Sequence, residues 1–594
     1  MTFYRHPYRH YWPLSDKRTL VWSPSLGETV ALENSDLWPM LYHLRSLPGE
    51  SLEVEGDLLV MANFLVTQGY LLHHPWSEQP DYATDYDGVV IWNRFDFDGW
   101  MDYRSARPHF HLFPGIGQDQ GWCFWDGQPG ACLRCQVLRW LANRDYSKQL
   151  IQVRAARQAW GDWPYWGALD HHALDMLSKA QTHRGSLIWE GQLHWLCQPA
   201  PLPGCLCGQG APTPTTISRP QASTNWQWFN PLGVICQTRC DSGQEHLWGA
   251  RSGWVSLLGG ADDERSSGAG CHPDPETAFR QAVGETLERY CARFLPPQAP
   301  PQLPPLVWTE FSPQQIRQPK FTYRDSAQFQ HWCAVQPLAG GLEWKAPTQA
   351  MLLCTPPGEP QVYPNLSHGL GCQRSLELAL WGALWECLER DAVASWWAQL
   401  CSSGGQTARG RCESKDDGLE VYEIPCLAGR CAVAWTCDAQ GRRAGGSAAS
   451  LDERCFTKAI QESRHNFRCL NEGEVSSPRP DPPVTFRQHL ETYWAQPQRF
   501  PADRLKRMAD LPPFRPCGST PESIAACLAE EGIHLYWTEL TTADVAALDH
   551  RVVKVFSPQL LYLPAQHQHW PLGRKRYRQL VGHNQLPRLP HPFA

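Results

Sequence analysis

The pattern Glu-x-x-Glu-Arg occurs twice in this chain, in "GETLERYCARF" (284–294) and in "WECLERDAVASWW" (385–397). The second copy constrains the fold most. From 376 to 400 the sequence is Leu, Ala, Trp and Cys nearly all round, with charge confined to Glu377, Glu386, Glu389, Arg390 and Asp391. A helix apolar on every side is a buried helix. Carboxylates carried inward on it must be neutral, paired with a cation or bound to a metal. The first copy predicts an amphipathic helix. Asp274 and Pro275 supply its cap and first turn, and Phe279, Val283, Leu287, Tyr290 and Phe294 its apolar stripe. Glu285 and Glu288 lie off that stripe, three residues apart, where two negative charges repel unless a cation sits between them; the alternative is a solvated face that happens to hold two glutamates.

Two helices that each present a carboxylate pair to a shared cavity can hold hard divalent cations, since magnesium takes oxygen ligands and bridges phosphate oxygens. That points to nucleotide chemistry. The chain has no G-x-x-x-x-G-K-[ST] and no kinase motif set. An ATP site of another kind is left.

The chain has 594 residues, enough for three or four units, and 42% hydrophobic residues to build their cores. Its net charge is -7 and its pI near 6.4, with Lys and Arg scattered, so neither nucleic acid nor an anionic membrane is an expected partner. "MTFYRHPYRHYWPLSDKR" has no apolar export core, and the run "LLVMANFLVTQGYLL" is interrupted by Asn63, Thr67 and Gln68. The expected location is the cytoplasm. Its 23 cysteines are then expected to be reduced, most of them small buried hydrophobes.

Residues 1–75 pattern as a winged helix. The β-rich "TLVWSPSLGETVALEN" precedes "DLWPMLYHLRSL" and "GDLLVMANFLVTQGYLLHH", which Asp57 can cap and Gly69 can end. Without a basic patch, peptide capture on a strand edge is the expected use. Residues 76–212 contain "CLRC" (Cys132, Cys135) and "GCLCG" (Cys205, Cys207). Two close thiolate pairs satisfy tetrahedral zinc and leave no open position, as in a structural site; four buried free thiols are the alternative. "PTPTTISRPQASTN" reads as a linker, and 213–594 mixes strands such as "HRVVKVF" with long helices. The expected class is a multidomain α+β protein.

In that order, "GAGCHPDPETAFRQAVGETLERY", "LSHGLGCQRSLELALWGALWECLERDAVASWW" and "SLDERCFTKAIQESRHNF" resemble the three signature blocks of the YcaO superfamily. "HNQLPRLPHPFA" resembles its proline-rich C-terminus. The upstream half is similar to the partner protein often fused to YcaO in azole-modified peptide pathways, a RiPP-recognition winged helix followed by a zinc-bearing ThiF/E1-like remnant. "GACLRCQVLRWLANR" and "LPGCLCG" match the zinc blocks of that remnant.

The resemblance implies a YcaO α/β domain acting as an ATP-dependent cyclodehydratase, as in thiazole/oxazole-modified microcin biosynthesis. ATP, Mg2+ and structural Zn2+ are the implied cofactors. The implied partners are a precursor peptide held through its leader, a flavin-dependent azoline dehydrogenase and a second copy of the chain. Carried over by position, Glu285, Glu288, Glu386 and Glu389 are metal and nucleotide ligands, Arg390 a phosphate contact or helix-pairing group, Glu462 a further site carboxylate and Glu377 a lesser member. Pro590 and Pro592 belong to a tail implied to enter the active site. The chain departs from the family pattern at Ala269, Gln281, His368, Gln373, Arg374, His465 and Ala594. A rival reading of another class is a leader-binding scaffold with a degenerate YcaO shell. Thioamide or amidine formation would use the same activation chemistry.

Overall fold

The computed structural model describes residues 232–593 apart from 243–245, 263, 320, 403–407, 417, 473–482, 484, 512–516 and 583–584. Upstream it describes 2–5, 10–13, 18–23, 28–33, 51–53, 63, 71–72, 85–86, 89–91, 110–113, 120–125, 131–143, 186–190, 193–197, 200–203, 205 and 207. The chain divides into two compact units, 1–236 with 257–259, and 237–256 with 260–594.

In the first unit Arg18–Ser23 and Glu28–Glu33 pair antiparallel from Ser23↔Glu28 outward, with His10–Pro13 on the far side of the first strand. Thr2–Arg5 lies between Ser51–Glu53 and Leu71–Leu72 in a second small sheet. The helical stretches expected of the winged helix lie outside the described residues save Asn63, and so does the linker at 212–225. A six-stranded sheet follows, in the order Leu193–Cys197, Ser186–Glu190, Gln120–Trp125, Phe110–Phe113, Val89–Ile91 and Asp85–Tyr86. The helix Leu133–Ala142 sets Trp140 edge-on to Trp122 of that sheet, ring centroids 4.4 Å apart.

The second unit contains β1 (His246–Trp254), β2 (Arg265–His272) and α1 (Pro275–Cys291), then β3 (Trp332–Pro337), β4 (Trp344–Pro347), β5 (Leu370–Gln373) and α2 (Leu376–Cys401). There follow β6 (Arg411–Asp416), β7 (Leu419–Ile424), β8 (Arg430–Cys437), β9 (Arg443–Ser450), α3 (Arg454–Glu472), α4 (Phe486–Ala495) and α5 (Pro521–Glu530). β10 (Tyr536–Glu539), β11 (Arg551–Phe556) and α6 (Lys575–Val581) close it. β4-β3-β10-β11-β5 form one antiparallel sheet and β6-β7-β8-β9 another. α2 packs on β5 and β11 of the first sheet and on β9 of the second, while α1 packs on β1 and β2 and α3 on β8 and β9.

The sequence accounts for these helices. Asp274 accepts the Thr277 N–H at 2.8 Å to cap α1, with Pro275 at its first position. The expected stripe is buried, Phe279, Val283, Leu287, Tyr290 and Phe294 all facing the interior. Ser375 caps α2 through the Leu378 N–H, and the helix is buried from Ala379 onward except along its charged face. Its first turn departs from all-round burial, with Leu378 54% exposed. The last turns set Trp396 and Trp397 into a core with Trp435, Tyr493, Trp570 and Phe593. Each such ring buries on the order of 200 Å2, worth about 5 kcal/mol at 25 cal/mol per Å2.

One cysteine pair departs from the expectation of reduced thiols, since Cys517 and Cys527 are joined in a disulfide. Most of the others are buried or half-buried, with Cys240, Cys412 and Cys469 exposed. Among the described residues no helix is long and apolar enough to cross a membrane.

Candidate active site

Three helices bring five acids together, and in four of the five a backbone N–H in or next to a strand holds the carboxylate. Glu285 accepts from Ala269 N at 2.6 Å and Glu288 from Cys372 N at 2.8 Å. Glu386 accepts from Gly369 N at 3.1 Å and Glu462 from Ser447 N at 2.7 Å. Glu389 instead takes the Ser447 hydroxyl at 2.6 Å. Such tethers need helix and strand very close. A Cβ on Gly270 would lie 2.0 Å from Ala278 O of α1, one on Gly371 2.3 Å from Ala379 O of α2, and one on Gly446 2.5 Å from Ala459 O of α3. Glycine removes that clash and lets each glutamate reach the neighbouring strand.

The acids feel one another. Burial, then the charges of Glu386 and Glu285, pushes the Glu288 carboxyl up to about 8. Burial raises Glu386 to about 7 against the pull of Arg390, and raises Glu462 to about 7 with Glu389 adding to it. Glu389 is raised by burial too, offset in part by Arg390 and by the Ser447 hydrogen bond. Without a cation the cluster therefore retains protons at neutral pH. Arg390 is the buried counter-charge, Nη1 3.8 Å from Glu389 and Nε 4.0 Å from Glu386. Burial alone would lower its pKa, but Glu389, Glu462 and Glu386 raise it.

The two motif copies play different parts. Arg289 bonds Glu285 one turn back at 2.5 Å and also donates to Ser267 O at 2.7 Å, at the exposed edge of the cluster. The approach of Arg390 to the corresponding Glu386 is longer, 4.0 Å, and it stands among acids from α2 and α3. Glu377 is exposed in the first turn of α2 and is not brought into the cluster. It precedes Glu386 by nine residues (386 − 377), which at 100° per residue turns it half-way round the helix. Gln281, Gln373 and Arg374 are exposed and Ala269 contributes its backbone, while His368 is half-buried behind Arg390.

Two participants escaped the sequence reading. Ser447 serves two acids at once and lies in the unremarkable strand "RAGGSAAS". Lys554, on β11, is 4% exposed and donates to Leu366 O at 2.7 Å. Burial lowers it to about 8, opposed by Glu386, Cys387 and Glu288. A lysine inside the apolar strand "HRVVKVF" was the available signal, because a buried ammonium needs a partner.

The C-terminal tail is docked through Phe593. Trp397 Nε1 donates to Leu589 O at 3.1 Å, the Tyr493 hydroxyl to Pro590 O at 2.8 Å, and His489 Nδ1 meets His591 O at 2.8 Å. Pro590, Pro592 and Phe593 are buried. Ala594 lies outside the described residues.

In the first unit Cys132, Cys135, Cys205 and Cys207 converge, their sulfurs all within 4.8 Å of one another. Neighbouring pairs are 3.6 Å (Cys132–Cys135), 3.8 Å (Cys132–Cys205), 3.6 Å (Cys135–Cys207) and 3.3 Å (Cys205–Cys207) apart. Four sulfurs about 2.3 Å from one zinc stand about 3.8 Å apart in a tetrahedron. The donor set fits that metal, and the Leu202 N–H at 3.3 Å from Cys135 Sγ supplies outer support.

Residues 273–561 match the family model described as YcaO cyclodehydratase, ATP- and Mg2+-binding. No curated protein matches the chain. Among solved structures, a heterocyclase in complex with substrate and cofactor is 15% identical with a TM-score of 0.61, both chains covered in full. The heterocyclase TruD is 15% identical with a TM-score of 0.54, again with both chains covered in full. At that identity the likeness is one of fold. Residues 273–561 of the chain are thus a YcaO cyclodehydratase domain.

Proposed function

We propose that the chain converts Cys, Ser or Thr residues of a ribosomally made precursor peptide to azolines. In this reading the side-chain sulfur or oxygen bonds to the preceding carbonyl carbon and gives up its proton. The carbonyl oxygen then takes the γ-phosphoryl group and ADP leaves. The C–O bond breaks with release of phosphate, the amide nitrogen loses its proton and C=N forms. The peptide loses the elements of one water per ring.

The observation that carries this reading is the ring of Glu285, Glu288, Glu386, Glu389 and Glu462 about Arg390. Phosphoryl transfer asks for charge neutralisation and positioning more than for covalent chemistry. The five acids are the proposed magnesium ligands, and bound magnesium would neutralise and bridge phosphate oxygens. Arg390 is the proposed phosphate contact. A structural zinc on the four cysteines, leader capture by residues 1–75, a homodimer, a later flavin-dependent dehydrogenase and a cytoplasmic location complete the proposal.

The test is coupling. Precursor peptide should stimulate ADP and phosphate release, one ATP per ring formed, and ATP turnover that never tracks rings would sink it. Deleting residues 1–74 should raise the KM for precursor and spare basal ATP hydrolysis. Unchanged leader binding in that deletion would remove the winged helix from the account.

A further inference from the structure

An open pocket that encloses about 70 Å3 and widens into solvent lies beside Arg390. Its walls are aromatic. Trp308 stacks on Phe556, centroids 5.6 Å apart, and lies 4.7 Å from Tyr363. Its polar lining includes Lys554, His368 and Arg390, with the paired Glu310 and Arg574. Among the described residues the Lys554 ammonium makes one hydrogen bond, to Leu366 O, and an ammonium has three protons to donate. His368 Nδ1 has no hydrogen-bond partner among the described residues. Within that lining Arg574 makes a bidentate pair with Glu310, and the Trp308 indole N–H donates to the same carboxylate at 2.7 Å. The tail is one ring removed from it, the Phe486 ring lying 5.9 Å from His368 and 6.2 Å from His591.

An apolar wall with a few converging donors is the usual form of a small-molecule or peptide subsite. Arg390 lines the chamber and approaches Glu386 and Glu389, so a group inside it meets a phosphate held by the acids across one side chain. The cationic lining suits an oxygen that becomes negative, and a buried donor already in place stabilises such an oxygen without reorganisation.

We propose that this chamber receives the peptide bond to be activated, its carbonyl oxygen held by Lys554 and Arg390. The side chain of the residue before the cyclised one lies on the wall of Trp308, Tyr363 and Phe556. The inference rests on the cyclodehydratase reading and adds a substrate rule to it: large apolar or aromatic residues are favoured before the ring-forming residue.

The experiment uses the full chain with precursor peptides that carry Gly, Leu or Phe before the cyclised residue. Lys554→Met should slow ring formation about 100-fold, the cost of one oxyanion donor, and leave the MgATP Kd measured without peptide within about threefold, less than half of one tenfold step. Ala350→Phe narrows the chamber from its lining turn. It should slow the Leu and Phe peptides about tenfold or more, the size of a one- or two-methylene discrimination, and spare the Gly peptide. Parent-like rates in both variants on every peptide would overturn the proposal. So would nucleotide affinity falling in step with ring formation in Lys554→Met, which would give the chamber to the nucleotide, or an Ala350→Phe effect blind to the preceding residue. Peptide binding without ATP decides the chamber even if the parent forms no ring, an outcome that would defeat the cyclodehydratase reading instead. Equal affinity of parent and Ala350→Phe for the Phe peptide overturns the chamber alone.

Discussion

Glu389 on α2 and Glu462 on α3 are held by one residue, Ser447, whose hydroxyl donates to the first at 2.6 Å and whose backbone N–H donates to the second at 2.7 Å. The strand thereby fixes the spacing of two acids that lie 73 positions apart (462 − 389). Ser447→Ala removes only the first of these bonds. It should lower ATP turnover about tenfold, the worth of one hydrogen bond to a charged group. Glu389→Gln or Glu285→Gln, which remove an acid, should cost at least about 100-fold with the fold intact. Steady-state ADP release and circular dichroism on the variants check both, and a Glu389→Gln enzyme at the parent rate would contradict the assignment.

The protonation of the cluster gives a pH signature. Glu386 and Glu462 sit near 7 and Glu288 near 8, above the ordinary carboxylate value of about 4.3 expected in the unfolded chain. Raised carboxyl groups favour the folded state while protonated. Their stabilisation is complete below the unfolded value and is lost as pH rises through about 7 to 8. The melting temperature of the metal-free protein, taken relative to Glu288→Gln, should therefore fall between about pH 4.5 and 8 and level off above. Magnesium should bind more tightly over the same window and reverse the fall. A difference that rises with pH would refute the account of the cluster.

Legibility followed the range of the interaction. Caps and stripes are local, so α1 could be read from Asp274 and the 3.6 spacing, α2 from its all-round apolar run, and the cysteines from two tight pairs. Ser447 and Lys554 could not be read, because their importance comes from partners such as Glu389 and Leu366, 58 and 188 residues away. Glu377, placed by the resemblance as a lesser member, shares the motif's helix but stands in its exposed first turn, half-way round from Glu386.

Zinc should be found at one per chain by elemental analysis. Cys132→Ser with Cys205→Ser should lose it and lower the melting temperature without selectively removing catalysis, since a closed site supports folding. Full zinc occupancy in that double variant would return the four sulfurs to ordinary buried thiols.

The tail carries packing as well as position. Phe593 is 1% exposed in the core with Trp397 and Trp435, so Phe593→Ala should cost about 3–5 kcal/mol, read as a lowered denaturation midpoint. Deleting 589–594 should then reduce ring formation more than MgATP affinity, while Ala594→Pro is tolerated. Full dehydration by the deletion would show that the docked prolines only close the core.

The most direct measurement is intact mass. The chain, a precursor peptide bearing its leader, ATP and magnesium should give peptide lighter by about 18 mass units for each modified Cys, Ser or Thr, as the loss of one water per ring requires. The loss should need ATP and disappear in Glu389→Gln, where charge stabilisation of the transferring phosphoryl group is gone. A peptide of unchanged mass, under conditions where it binds and ATP is turned over, would contradict the account.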